Sequence, residues 1–272
     1  MQPITAWRRL LAEFVGTASL VTAVVGSGIM AAALSPHDIG LQLLENSVAT
    51  AFALGTLILT FGPISGAHFN PVVSAADWFL GRRTGTGLTG RQLGGYTAAQ
   101  IAGAIAGAIL ANLMYGLAAV DFSSKQRGAA HLWLGEVVAT SGLILLIFAL
   151  AWSGRAAAAP AAVGAYIGAA YWFTSSTSFA NPAVTIGRAF TDTFAGIAPA
   201  SVPGFIAAQL IGLALGVALL LALYPGVGRT ADEIVVAHDR AEATLLAHPA
   251  ATPEWRALTP RPPTPLREMS DE

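Results

Sequence analysis

Two Asn-Pro pairs, each set inside a long apolar run, restrict this chain more than any other feature. The first is Gly66-Ala67-His68-Phe69-Asn70-Pro71-Val72-Val73; the second is Ser178-Phe179-Ala180-Asn181-Pro182-Ala183-Val184-Thr185. Proline is tolerated in the first turn of a helix, where its missing N–H is not needed. Asparagine immediately before it is a good N-cap. Each pair therefore predicts a helix that begins within a hydrophobic segment. In a bilayer the free backbone groups of such a start cost several kcal/mol unless protein or a water-filled cavity satisfies them. Two such starts predict a cavity at the membrane midplane, with two positive helix ends aimed into it.

The bilayer reading follows from composition. Of 272 residues, 54% are hydrophobic and 11% charged, too apolar for a soluble domain. The net charge of −1 suggests no nucleic-acid partner, and the lack of cysteine removes disulfides and thiolate metal sites. No cofactor or metal cluster is indicated. No cleavable leader is expected, because Trp7-Arg8-Arg9 opens a span too long for a signal core.

A span needs about 20 apolar residues. Runs of that kind lie at about Leu10–Leu34, Ser47–Phe61, Tyr96–Leu117, Leu132–Trp152, Pro160–Phe173 and Ser201–Tyr224. The fifth is expected to continue through Thr174-Ser175-Ser176-Thr177 towards Asn181. Pro71–Leu80 and Pro182–Phe190 are too short to cross. Gly81–Gly95 reads as a loop.

The two halves repeat. Ala12-Glu13-Phe14-Val15-Gly16-Thr17 answers Gly135-Glu136-Val137-Val138-Ala139-Thr140; Asn70-Pro71 answers Asn181-Pro182; Ala98-Ala99-Gln100 answers Ala207-Ala208-Gln209. Each half has three spans, an odd number, so the halves lie in opposite orientations. Arg8, Arg9, Arg82, Arg83, Arg91, Arg155 and Arg229 then share one side, and Lys125 and Arg127 the other. By the positive-inside rule both termini are cytoplasmic, in an inner (plasma) membrane. The expected fold is an all-α membrane protein with six transmembrane helices and two re-entrant half-helices. Residues 1–224 form the channel domain, with repeats at about 7–118 and 131–224. Residues 225–272 form a cytoplasmic tail, in which Thr230-Ala231-Asp232-Glu233 caps a short helix and proline-rich disorder follows.

These motifs resemble the aquaporin, or major intrinsic protein, family over about Trp7–Tyr224. The resemblance implies an hourglass pore, four subunits each with its own pore, and passive passage of small neutral solutes. The boxes read Asn70-Pro71-Val72 and Asn181-Pro182-Ala183, the first with Val where Ala is usual. Many family members carry Arg at the position of Val184, as one wall of the narrow filter. Ungapped counting puts the other filter positions at Ala169, Ser178 and Thr50, with Phe52 as the neighbouring alternative. The implied filter is small, uncharged and wide. The pattern resembles bacterial aquaglyceroporins associated with arsenic-resistance genes, which implies glycerol-like polyols, water and arsenous acid.

Several side chains carry two readings. Asn70 and Asn181 cap their helices or point amide N–H groups at a passing oxygen. Glu13 and Glu136 are intramembrane acids, open to a proton-relay role; the resemblance implies that they accept hydrogen bonds from the re-entrant loops. His68 lines the passage or is held in the scaffold. Arg188 pairs with Asp192 and snorkels outward, the favoured reading, or else enters the mouth as a partial substitute for the absent Arg. The main competing function is a secondary transporter or ion-conducting channel, since inverted repeats and broken helices also build those. An enzyme is not expected, because the spans hold no nucleophile–base pair.

Overall fold

A computed structural model of the chain describes residues 4–229. These contain eight α-helices and no strand: α1 (Ala6–Leu34), α2 (Ile39–Ser65), α3 (Pro71–Gly81), α4 (Gly90–Met114), α5 (Ala130–Trp152), α6 (Ala159–Phe173), α7 (Pro182–Gly187) and α8 (Val202–Leu223). Six are long and apolar enough to cross a membrane, α6 when its leading 3-10 turn from Ala156 is included. The remaining two are short. The 11 residues of α3 rise about 16 Å and the 6 of α7 about 9 Å, so neither spans. The expected tail helix and disordered segment fall outside the described residues.

Local chemistry explains where the helices start. Asp38 accepts the Leu41 N–H, which begins α2 eight residues before the apolar run at Ser47. Thr89 and Gln92 form a reciprocal capping box, so α4 opens at Gly90 within the stretch expected to be loop. At the far end of α6 the helix stops at Phe173, and Thr174–Thr177 turns away from it.

The halves use the same packing scheme. α1 packs on α2 and α4, as α5 packs on α6 and α8, and the halves meet where α2 lies on α6. Each half-helix touches the last helix of both halves: α3 contacts α4 and α8, and α7 contacts α8 and α4. This exchange of partners is what a two-fold related pair requires. Small residues permit the close approach. A Cβ on Gly103 or Gly107 would strike the α1 backbone at Phe14 or Ala18, and one on Gly212 would strike α5 at Val137. Large side chains such as Leu59, Leu134 and Ile211 face outward, as a lipid-facing surface permits. The Thr84 and Thr86 hydroxyls both donate to Gly228 O, which ties the loop after α3 to the end of the described chain.

Candidate functional site

The site is built around two strained loops. Ala67 and Phe69 lie three and one residues before Asn70 with φ of 51° each; Ser178 and Ala180 lie at the same offsets from Asn181 with φ of 48° and 47°. Left-handed backbone costs roughly 1–2 kcal/mol per non-glycine residue. Two buried carboxylates hold it in place. Glu13 accepts the His68 and Phe69 N–H groups at 3.0 and 2.7 Å, the Ser65 hydroxyl at 2.6 Å and Gln100 Nε2 at 2.7 Å. Glu136 accepts the Phe179 and Ala180 N–H groups, both at 2.8 Å, and Gln209 Nε2 at 2.6 Å. Each glutamine also donates to a hydroxyl of its own half-helix, Ser74 or Thr185. Nothing in the sequence beyond the paired Ala-Ala-Gln stretches marked Gln100 and Gln209 for this task.

The loops present Asn70 and Asn181 to one another. Asn70 Oδ1 accepts the Val72 N–H, and Asn181 Oδ1 accepts those of Ala183 and Val184, so both are true N-caps with Pro71 and Pro182 in the first turn. Their amide nitrogens cross over. Asn70 Nδ2 donates to Ala180 O and Asn181 Nδ2 to Phe69 O, each at 2.8 Å. An amide nitrogen carries two hydrogens, so each asparagine keeps a second donor while capping its helix and clasping the opposite loop.

Both asparagines border an internal passage with room for about 90 Å³. Its walls are mostly apolar. Thr50, Leu54 and Ile58 form a stripe on α2, and Val163, Ile167 and Tyr171 one on α6, both at four-residue spacing. Leu143 and Ile147 of α5 and Leu20 and Val24 of α1 complete the middle. His68 and Ala67 line one end, the α3 mouth. Ser178, Val184 and Arg188 line the other, the α7 mouth. His68 serves both of its readings: its ring borders the passage while Nδ1 lies 3.0 Å from Ser74 Oγ and the ring packs edge-on to Tyr96. Thr50 bonds Tyr171 across the α7 half, Oγ1 to Oη, at 3.2 Å.

Three sequence expectations need correction. Ala169 is exposed on the outward face of α6; its neighbours Ile167 and Tyr171 carry the lining stripe. Ungapped counting missed that register because the chain leaves the helix at Thr174. Phe52 is 74% exposed and faces outward, which leaves Thr50 as the lining residue of α2. Arg188 neither pairs with Asp192 nor snorkels outward. It is 2% exposed and lines the passage; its Nε donates to Ala195 O, and its Cζ stands 3.5 Å from the Phe179 ring centroid. Asp192 is held instead by the N–H and hydroxyl of Ser124 and, less, by the Ser123 hydroxyl, which keep its carboxyl below the usual range. Position in the sequence did not mark Arg188, since Asp77 stands at the same seven-residue offset from Asn70 and does not line the passage, and α7 gives way to a 3-10 turn at Arg188 itself.

The major intrinsic protein model matches residues 1–180. The chain belongs to the major intrinsic protein family. It is 50% identical to aquaglyceroporin AqpS of Rhizobium meliloti, over 81% of this chain and 91% of the relative. It is 32% identical to the glycerol uptake facilitator protein of Pseudomonas aeruginosa, over 71% of this chain and 77% of that protein. With aquaporin Z of Brucella melitensis the identity is 33%, over 69% and 86%. The solved aquaglyceroporin from Plasmodium falciparum superposes with a TM-score of 0.60 at 18% identity, covering 82% of this chain and 99% of that one, and so shares the fold. This member of the family is a multi-pass membrane channel for small neutral solutes, and not an enzyme.

Proposed function

We propose that the passage conducts water and glycerol-like polyols, and arsenous acid beside them, while excluding ions. The observation that carries this reading is the pair of crossed asparagines at the meeting of two opposed helix starts. Each N–H left over on Asn70 and Asn181 is a donor for a passing hydroxyl or water oxygen. Leu54 and Ile58 of α2 and Val163 and Ile167 of α6, which line the passage, supply no replacement for the hydration shell of an ion. The two helix ends oppose a cation, each with up to about half a positive charge, most strongly where the surroundings are of low dielectric. Uncharged trihydroxylated solutes avoid both penalties.

Residues proposed to select solutes are Thr50, Ser178 and Val184, all of which border the passage. The domain is proposed to run through about residue 224, to assemble as four copies each with its own passage, and to sit in the inner membrane with both termini cytoplasmic. The arginine set Arg8, Arg9, Arg82, Arg83, Arg91, Arg155 and Arg229 supports that orientation. The solute assignment is tested by stopped-flow light scattering of proteoliposomes, with water, glycerol and arsenous acid in turn. Permeation above protein-free vesicles is expected for each; a water-only response would remove the polyol and arsenous acid parts.

A further inference from the structure

The α7 mouth holds a built polar cluster that the Asn-Pro box does not account for. Val184, at the third position after Asn181, brings no charge to the wall. One turn further along, Arg188 brings a guanidinium that is buried yet borders the passage. Its Nε is committed to Ala195 O and its face to Phe179. Its two Nη groups take no acceptor among the described residues. Beside it, Ser178 is 3% exposed, lines the same mouth, and its Oγ has no hydrogen-bond partner among the described residues. Phe179 is shared with a second guanidinium. Arg127, from the loop between α4 and α5, stands with Cζ 5.0 Å from the ring centroid and is anchored on Gly196 O and Ser176 O.

We infer that Arg188 is the selectivity-determining cation of this channel: reaching in from one turn beyond Val184, it offers its Nη donors, with the Ser178 hydroxyl, to the oxygens of a polyhydroxylated solute. Three features assign this task to Arg188 rather than to scaffolding alone. Its one protein acceptor uses only Nε, leaving four of the five guanidinium N–H donors directed elsewhere. The ring of Phe179 fixes the plane of the fork, so little side-chain entropy is lost on solute contact. No carboxylate accepts a hydrogen bond from it among the described residues, so its Nη donors are not taken up by an internal ion pair. A solute passing this point exchanges water for donors from Arg188 and Ser178, and a cation meets fixed positive charge. The inference rests on the neutral-solute reading and names the residue that enforces it.

The test uses the full chain in proteoliposomes, as wild type, Arg188→Leu and Arg188→Lys. Glycerol and a five-carbon polyol are followed by light scattering, and proton leak by an entrapped pH dye. Arg188→Leu is expected to raise the five-carbon-to-glycerol flux ratio about fivefold, and proton leak about tenfold, by removing bulk and charge together. Arg188→Lys keeps the charge but loses the planar fork; it is expected to retain proton exclusion while shifting the flux ratio about twofold. A purely structural role would not separate these two readouts. Arg188→Leu with wild-type ratio and wild-type leak overturns the inference. If that variant does not assemble, Arg188→Lys decides: a shifted ratio with proton exclusion intact supports it, and an unchanged ratio overturns it. Wild-type protein that passes no glycerol would remove the neutral-polyol reading itself, a result distinct from failure in the variants alone.

Discussion

The two re-entrant segments are alike where they are held and unlike where they end. Both present a glutamate that grips two loop N–H groups, a glutamine that bridges glutamate to hydroxyl, left-handed residues at matching offsets, and an asparagine clasping the opposite loop. Seven residues beyond the asparagine the symmetry fails, since 77 − 70 = 188 − 181 = 7. Asp77 is buried away from the passage and accepts the Leu88 N–H at 2.7 Å, tying down the loop after α3. Arg188 borders the passage. The duplicated scaffold thus fixes the backbone twice, while the half-helix ends are free to diverge in charge and task.

The largest expected effect tests the shared scaffold. Glu13 serves four donors and Glu136 three. Leaving buried donors unmade costs about 1–3 kcal/mol each. Glu13→Ala and Glu136→Ala should both lower thermal stability in detergent, Glu13→Ala more, to the point of losing folded protein. Equal, small shifts would break the idea that these acids hold the loops. Next comes the α7 mouth. Val184→Arg should cut glycerol flux about tenfold, by adding a second guanidinium to a passage that already holds Arg188, equivalent to roughly 1.4 kcal/mol. Unchanged flux would show that this position does not set the aperture.

Smaller effects sharpen the divergence between the half-helix ends. Asp77→Ala should cost about 1–2 kcal/mol by leaving the Leu88 N–H without its acceptor, and should leave the ratio of polyol fluxes unchanged. A changed ratio would put Asp77 on the solute path after all. The smallest effect lies in the loop over the α7 mouth. Burial, followed by Arg127 and Arg188, pushes the Lys125 ammonium down to about 8, against the opposing pull of Asp192. A lowered value in the folded state means that the unfolded chain holds more protons between about pH 8 and 10.5, so stability rises with pH across that window. Wild type should show a slight rise in melting temperature above pH 8 that Lys125→Met lacks; identical pH profiles would contradict this account of the loop.

Much of this architecture was legible from residues alone, for physical reasons. Asn-Pro within an apolar run has few solutions in a bilayer, so both half-helices, their caps and the inverted repeat could be read directly. Span boundaries were less legible. Asp38 and the Thr89–Gln92 box extend α2 and α4 into polar stretches that hydropathy assigns to loops. Lining positions on the spans depended on register. Thr50 borders the passage, but Ala169 stands on the outward face two residues from the lining positions Ile167 and Tyr171, because the non-helical turn after Phe173 breaks the count. Arg188 was placed outward by the general habit of long basic side chains, which holds where lipid headgroups are within reach. Here the Phe179 ring and Ala195 O hold it inward.

The central claim is that the crossed Asn70 and Asn181 caps open a passage to uncharged hydroxylated solutes and close it to ions. It is tested most directly by measuring glycerol flux and proton flux in the same proteoliposomes, under an imposed proton gradient. The expected result is rapid glycerol entry that is indifferent to the gradient, with proton leak no greater than in protein-free vesicles. Proton flux that tracks the amount of protein, or glycerol entry that depends on the gradient, would contradict the account.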